Sequence, residues 1–229
     1  MERRVLLVAV LLVGLVAPAA WAGIYYEQEM KMPEPMGTGK MVCYISGAKM
    51  RVESTMQGMQ TVVISRFDTG VFYNLMPAQK MCMEIPIPKP DPQGEAQVQA
   101  TVTKTGETKK IGDYNCTRYD VTLKGMPGMP AEGVTQHYWM TTDVDVAEEF
   151  EKFSGIQARK QSVKLATEMT KLKGFPIMTE MSSPQGPITM TVTTVKKQDI
   201  ADSMFEVPAD YQKMSIPTGP TAPEGTQEP

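Results

Sequence analysis

Twenty methionines in a chain of 229 residues are the first chemistry the sequence offers. Thioether sulfur is a soft ligand that selects Cu(I), and Met30-x-Met32-x-x-x-Met36, Met56-x-x-Met59 and Met126-x-x-Met129 are spaced like copper-handling segments. The competing reading is that methionine, unbranched and polarizable, fills apolar positions where a core or lining must adapt. Position decides between them. Met30, Met32, Met81, Met83, Met140 and Met190 fall on the apolar side of alternating runs, where a core residue belongs. Adaptable apolar lining is therefore the preferred reading, Cu(I) binding is the weaker one, and neither a metal site nor a cofactor is expected.

Other reactive side chains are sparse. His137 is the sole histidine and stands beside Tyr138 and Trp139 in a strand-like run, where it reads as structural or surface-exposed rather than as a general base. Glu148-Glu149 sits where acidic residues complement a helix start. Gly125-Met-Pro-Gly-Met-Pro130 is interrupted by proline and opens no helix, unlike a phosphate-binding loop. With no Gly-x-Ser-x-Gly and no His-Glu-x-x-His, the chain is read as non-enzymatic.

The amino terminus carries Arg3 and Arg4, an apolar run from Val5 to Val16, and Ala20-Trp-Ala22 before Gly23. This pattern predicts a signal peptide over 1–22, cleaved after Ala22, and a product in the periplasm, with secretion as the lesser possibility. The run is shorter than the ~18 apolar residues a span requires, so no transmembrane anchor is expected after cleavage. A net charge of −3 provides no basic footprint for nucleic acid. Cys43, Cys82 and Cys116 would meet an oxidising compartment. Three pairings are open; Cys82 with Cys116 is favoured because both lie in strand-like runs of one meander.

The elements that must position these groups follow from periodicity. Ile24, Tyr26, Met30 and Met32 alternate with Tyr25, Glu27, Glu29 and Lys31. Met81, Met83 and Ile85 alternate with Lys80, Cys82 and Glu84, and Tyr119, Val121 and Leu123 with Asp120, Thr122 and Lys124. So do Ile188, Met190 and Val192 with Thr189, Thr191 and Thr193. Such alternation marks antiparallel strands with one buried and one wet face. Turns are predicted at Ser46-Gly47, Asp68-Thr-Gly70, Thr105-Gly106 and Gly112-Asp113. From Val144 to Leu172 the spacing of Ala147, Phe150, Phe153 and of Leu165, Met169, Leu172 predicts two helices or one interrupted helix, ended by Gly174. Beyond Met214 the Pro/Gly/Thr-rich end reads as a disordered tail over 215–229.

Taken in order, Tyr25-Tyr-Glu-Gln, Lys49-Met-Arg-Val, Ile64-Ser-Arg-Phe-Asp68, Leu75-Met-Pro-Ala-Gln-Lys80, Thr105-Gly-Glu-Thr-Lys-Lys-Ile-Gly-Asp-Tyr-Asn-Cys116, Gly174-Phe-Pro-Ile177 and Phe205-Glu-Val-Pro-Ala-Asp-Tyr211 resemble an uncharacterised family of exported bacterial proteins. The general plan is similar to that of the LolA and LolB lipoprotein carriers. The resemblance implies one mainly β (α+β) domain over 23–214: a curved antiparallel sheet forming an incomplete β-barrel, covered by one or two helices. It also implies an apolar ligand, a lipid or the acyl chain of a lipidated partner. The lining would come from Met30, Met81, Met83, Tyr138 and Met190 on the sheet, under a lid of Phe150, Phe153, Leu165 and Met169. A structural or interaction protein of the cell envelope, with a closed core and no small ligand, is the alternative.

Overall fold

Alternating side chains and short polar turns drive hairpin after hairpin in the computed structural model, which describes residues 21–88, 97–125 and 129–215. The first meander comprises β1 (Trp21–Lys31), β2 (Thr38–Ser46), β3 (Lys49–Met56), β4 (Met59–Arg66), β5 (Val71–Met76) and β6 (Met81–Pro86). The second comprises β7 (Gln99–Ile111), β8 (Tyr114–Lys124), β9 (Val134–Thr141), β10 (Phe175–Ser183) and β11 (Gly186–Ile200). Between β9 and β10 lie helices α1 (Ala147–Gln161) and α2 (Val163–Met169), and β12 (Gln212–Ser215) ends the described chain. The expected signal peptide and disordered tail fall, but for Trp21, Ala22 and Ser215, outside the described residues.

All twelve strands form one curved, open sheet in the order β12-β6-β5-β4-β3-β2-β1-β11-β10-β9-β8-β7. Every pairing is antiparallel except β12 with β6. The seam between the two meanders is β1 with β11, where Ile24 lies opposite Lys197 and Met30 opposite Met190, on either side of a bulge at Glu27/Gln28. The expected fold class is the observed one, with twelve strands in an open sheet.

Two glycines have roles other than the expected ones. Thr105-Gly106 is not a turn: β7 runs through it with a register shift between Lys104 and Thr108, and Gly106 adopts φ 84°. A bulge uses glycine there because L side chains disfavour that region. Gly174 does not end α2, which stops at Met169. It turns the chain into β10 at φ 94°, with its Cα side so close to the Thr141 carbonyl that an added Cβ would lie 2.1 Å from the oxygen.

One face of the sheet carries α1. Ile24, Tyr26, Cys43, Ile45 and Phe67 are buried with Phe153 and Phe175 in the principal core. Its rings meet edge to face: Phe67 with Phe153 at 5.8 Å, Phe150 with Phe175 at 4.9 Å and Tyr26 with Phe175 at 5.3 Å. Glu148 and Glu149 in the first turn of α1 and Arg159 and Lys160 in the last complement its dipole.

The opposite face is not simply wet. After β11 a short 3-10 turn, Asp202–Phe205, buries Phe205 completely against Val62, Ile64, Leu75, Cys82 and Ile200. Lys49 reaches over that ring at 5.3 Å and pairs with Asp202 at 2.5 Å. Cys82, on the side of β6 predicted to be polar, is thus fully buried, whereas Met81 and Met83 are only half-buried.

This placement corrects the favoured disulfide. Cys82 on β6 and Cys116 on β8 lie near opposite ends of the strand order, and all three cysteines are free and buried. Burial pushes the Cys43 and Cys116 thiols up to about 11 and raises that of Cys82, so all three stay protonated at neutral pH.

Candidate functional site

The helices roof only part of the sheet. α1 reaches from Phe153, packed on Phe67 just beyond β4, to Ala158, clustered with Leu123 of β8. Cross-strand partners share a face, and the registers trace one row across the helix-bearing face. It runs from Met59 through Met56, Gly39, Met30, Met190 and Thr179 to Tyr138 and Tyr119. The Tyr138 end lies beneath the helices and the methionine end does not.

Beneath the helices the strands and the roof do not close completely. A pocket of about 110 Å³ is lined by Tyr138, Met140, Phe150, Met169, Leu172 and Pro176, among others. A neighbouring one of about 250 Å³ is bounded by Val121, Leu123, Gln136, Ala158 and Leu165. Tyr138, Ser154, Gln157 and Met169 belong to both, so the two are parts of one apolar recess with amide and hydroxyl groups along its wall. Burial pushes the Tyr138 phenol up to about 12, and its hydroxyl donates to the Gln136 side chain.

Local sequence holds the roof in place. Ser162, fully buried, ends α1 and caps α2, its Oγ accepting from the Leu165 N–H at 3.1 Å. Glu168 on α2 accepts from the Val102 N–H of edge strand β7 at 3.0 Å, which ties the short helix to the sheet. Glu151 on α1 accepts from the Gly174 N–H at 2.7 Å.

The nine expected lining residues therefore divide. Tyr138, Phe150, Leu165 and Met169 come together around the recess. Phe153 lies in solid core against Phe67 and does not face a gap. Met30 and Met190 are cross-strand partners beyond the roof. Met81 lies opposite Met76, and Met83 opposite Asn74, toward the β12 edge. None of these four methionines belongs to a buried cluster among the described residues. The lid does not face them: α1 packs on the parts of the strands around Tyr26, Phe67 and Phe175, away from these methionines. Among the recess residues that sequence reading missed, Met140 and Gln136 alternate with Tyr138 and Leu172 follows the helical spacing, whereas Gln157 carried no such signal.

His137 lies on the other face, where its Nδ1 is 2.7 Å from Asp120 Oδ1 and 3.0 Å from an Arg118 Nη2. Arg118 also pairs with Glu107 at 3.0 Å. Held in this ion-pair network, Asp120 has its carboxyl below the usual range despite desolvation in the opposite sense. No group of three or more His, Cys, Asp or Glu side chains among the described residues is arranged to hold a metal. No helix among them is long and apolar enough to cross a membrane.

A family profile of a domain of unknown function, DUF4412, matches residues 27–211. The chain belongs to the DUF4412 family. The match runs from Glu27, past the middle of β1, to Tyr211, just before β12, and so spans both faces of the DUF4412 sheet, including the Phe205 plug. No curated protein matches the sequence. Among solved structures, an uncharacterised conserved protein from Thermus thermophilus superimposes with a TM-score of 0.55 at 8% identity, covering 85% of this chain and 90% of that one. That likeness concerns the fold alone. A DUF1329 family protein from Desulfovibrio piger gives a TM-score of 0.36 at 8% identity, over 82% of this chain and 90% of that one.

Proposed function

We propose that this DUF4412 protein is a non-enzymatic periplasmic holder of an apolar ligand, a lipid or the acyl chain of a lipidated partner, seated between the sheet and its helical roof. The observation that carries the reading is the two-part recess around Tyr138 and Met169. It is concave, chiefly apolar and supplied with a few polar groups, the makeup of small-molecule sites, and its two parts together reach the lower end of the usual ~300–1,000 Å³. The plan resembles the LolA and LolB carriers, in which a sheet and its helices hold acyl chains; that support is by analogy.

Displacement of a fluorescent fatty acid from the full chain tests it. Wild type is expected to bind, and Ser154→Phe, which fills the recess from the helix side, is expected to bind about tenfold more weakly or not at all. Met169→Glu should act in the same direction by setting a charge in an apolar wall. No binding by wild type, or undiminished binding by a folded Ser154→Phe variant, sinks the proposal. A second reading, an envelope interaction protein without a small ligand, is favoured by the close ring packing of Phe67, Phe153, Phe150 and Phe175 beside the recess.

A further inference from the structure

Beyond the roof, side chains far apart in sequence converge on the helix-bearing face. Two adjacent rows cross β3, β2, β1 and β11: Ser54, Met41, Gln28 and Val192 in one, and Met56, Gly39, Met30 and Met190 in the other. Four of these eight positions are methionine and one is glycine. Direct cross-strand neighbours have Cβ atoms about 4.5–5.5 Å apart, within the reach of side chains with three rotatable bonds.

The contacts fix how these methionines are directed. Gly39 presents no side chain, and the methyl carbons of Met56 and Met30 close over it, 3.3 and 3.6 Å from where a Cβ would stand. The Gln28 amide Nε2 lies 3.3 Å from the Met41 sulfur and 3.9 Å from the Met190 sulfur. The positive end of the amide thus occupies a point bounded by two thioether sulfurs, next to a third methionine on its own strand. All four methionines are half-buried, neither sealed in a core nor fully exposed.

We propose that Met30, Met41, Met56 and Met190 form a binding site for a soft monovalent metal ion, Cu(I), with thioether-only ligation and Gln28 as the group displaced on binding. Thioethers favour this ion over the harder cations that carboxylates and imidazoles take. The site is separate from the roofed recess, about two strand spacings from Tyr138 along the shared row, or ~10 Å. It does not use the sequence-local pairs: Met32, Met36 and Met59 are not needed, and Met59 is 69% exposed.

The test is anaerobic titration of the full chain with Cu(I) against a chromogenic Cu(I) chelator, with Ag(I) as a redox-inert parallel. One equivalent is expected to bind. Met30→Leu and Met190→Leu, close to volume-conserving, should each weaken binding about tenfold or more, while Met214→Leu on β12 leaves it unchanged. Failure of wild type to compete with the chelator overturns the site. So does retention of full affinity in both Leu variants, or loss that follows Cys43→Ser instead. Fatty-acid displacement reads the roofed recess independently, so either proposal can fail while the other stands.

Discussion

Rings crowd the sheet face under α1, while the same strands carry methionines and a glutamine further along, outside that core. Tyr26 and Gln28 are two residues apart on β1 and share a face, yet Tyr26 is 7% exposed and packs on Phe175, whereas Gln28 is half-buried among sulfurs. Rigid aromatic packing suits a surface permanently covered by one helix. Flexible thioethers suit a surface with no permanent partner, because they can repack or ligate. One amphipathic pattern has thus produced two surfaces, divided by where along the strands α1 lies.

The largest expected effect tests whether that line is energetic. Phe153→Ala, beneath the roof, should destabilise the fold by about 3–5 kcal/mol, since it removes a buried ring from a closely packed site. Met41→Ala, outside the roof, should cost well under half of that. Urea unfolding of the two variants is the measurement, and equal losses would erase the distinction between the halves.

Next is the roof itself. Ser162→Ala removes the side-chain cap of α2 and should lower stability by about 1 kcal/mol, with amide exchange accelerating in residues 163–169 before it does in the strands. Uniform acceleration would mean that α2 is not a separately held element.

A related effect depends on pH. The Glu168 carboxyl is held below its usual range by hydrogen bonds from Lys171 first and from the Val102 N–H second. A depressed folded-state pKa contributes stability that is complete above the unfolded carboxylate pKa and is lost as pH falls through the folded value. Glu168→Gln should therefore be less stable than wild type at pH 7 and approach it below the carboxylate range. A difference that persists unchanged into strong acid would show that the carboxylate charge is not what ties α2 to β7.

Much of this was legible. Ile24 and Tyr26 on one face of β1, and Tyr119, Val121 and Leu123 on one face of β8, follow from period-2 alternation, and α1 from the spacing of Ala147, Phe150 and Phe153. What was not legible depends on contacts distant in sequence. Cys82 reads as a polar-face residue until Phe205 folds back over it. Met30 meets Met190 only because β11 returns to pair with β1, a register that no local window contains. Met41 and Gly39, both within β2, belong to none of the alternating runs that the sequence displays. The helices fall within the expected segment, but which parts of the strands they cover could not be judged before the strand pairing was known.

The smallest expected effect on stability is also the sharpest test of the unroofed half. Gly39 has an ordinary strand backbone, so alanine there should gain about 0.4–1 kcal/mol by restricting the unfolded chain. Against this, the new methyl would stand 3.1 Å from the Thr55 carbonyl oxygen, 3.3 Å from the Met56 methyl and 3.6 Å from that of Met30, which requires shifts of a few tenths of an ångström. Two of those neighbours are ends of flexible side chains and can yield at little cost. The terms nearly cancel, and thermal unfolding should move by no more than the equivalent of ~1 kcal/mol in either direction. Yet the methyls of Met30 and Met56 could no longer close over the same point, so Cu(I) affinity should fall where stability does not. A Gly39→Ala variant that keeps both stability and Cu(I) affinity would show that the glycine serves strand packing alone and that its methionine neighbours are not arranged around it.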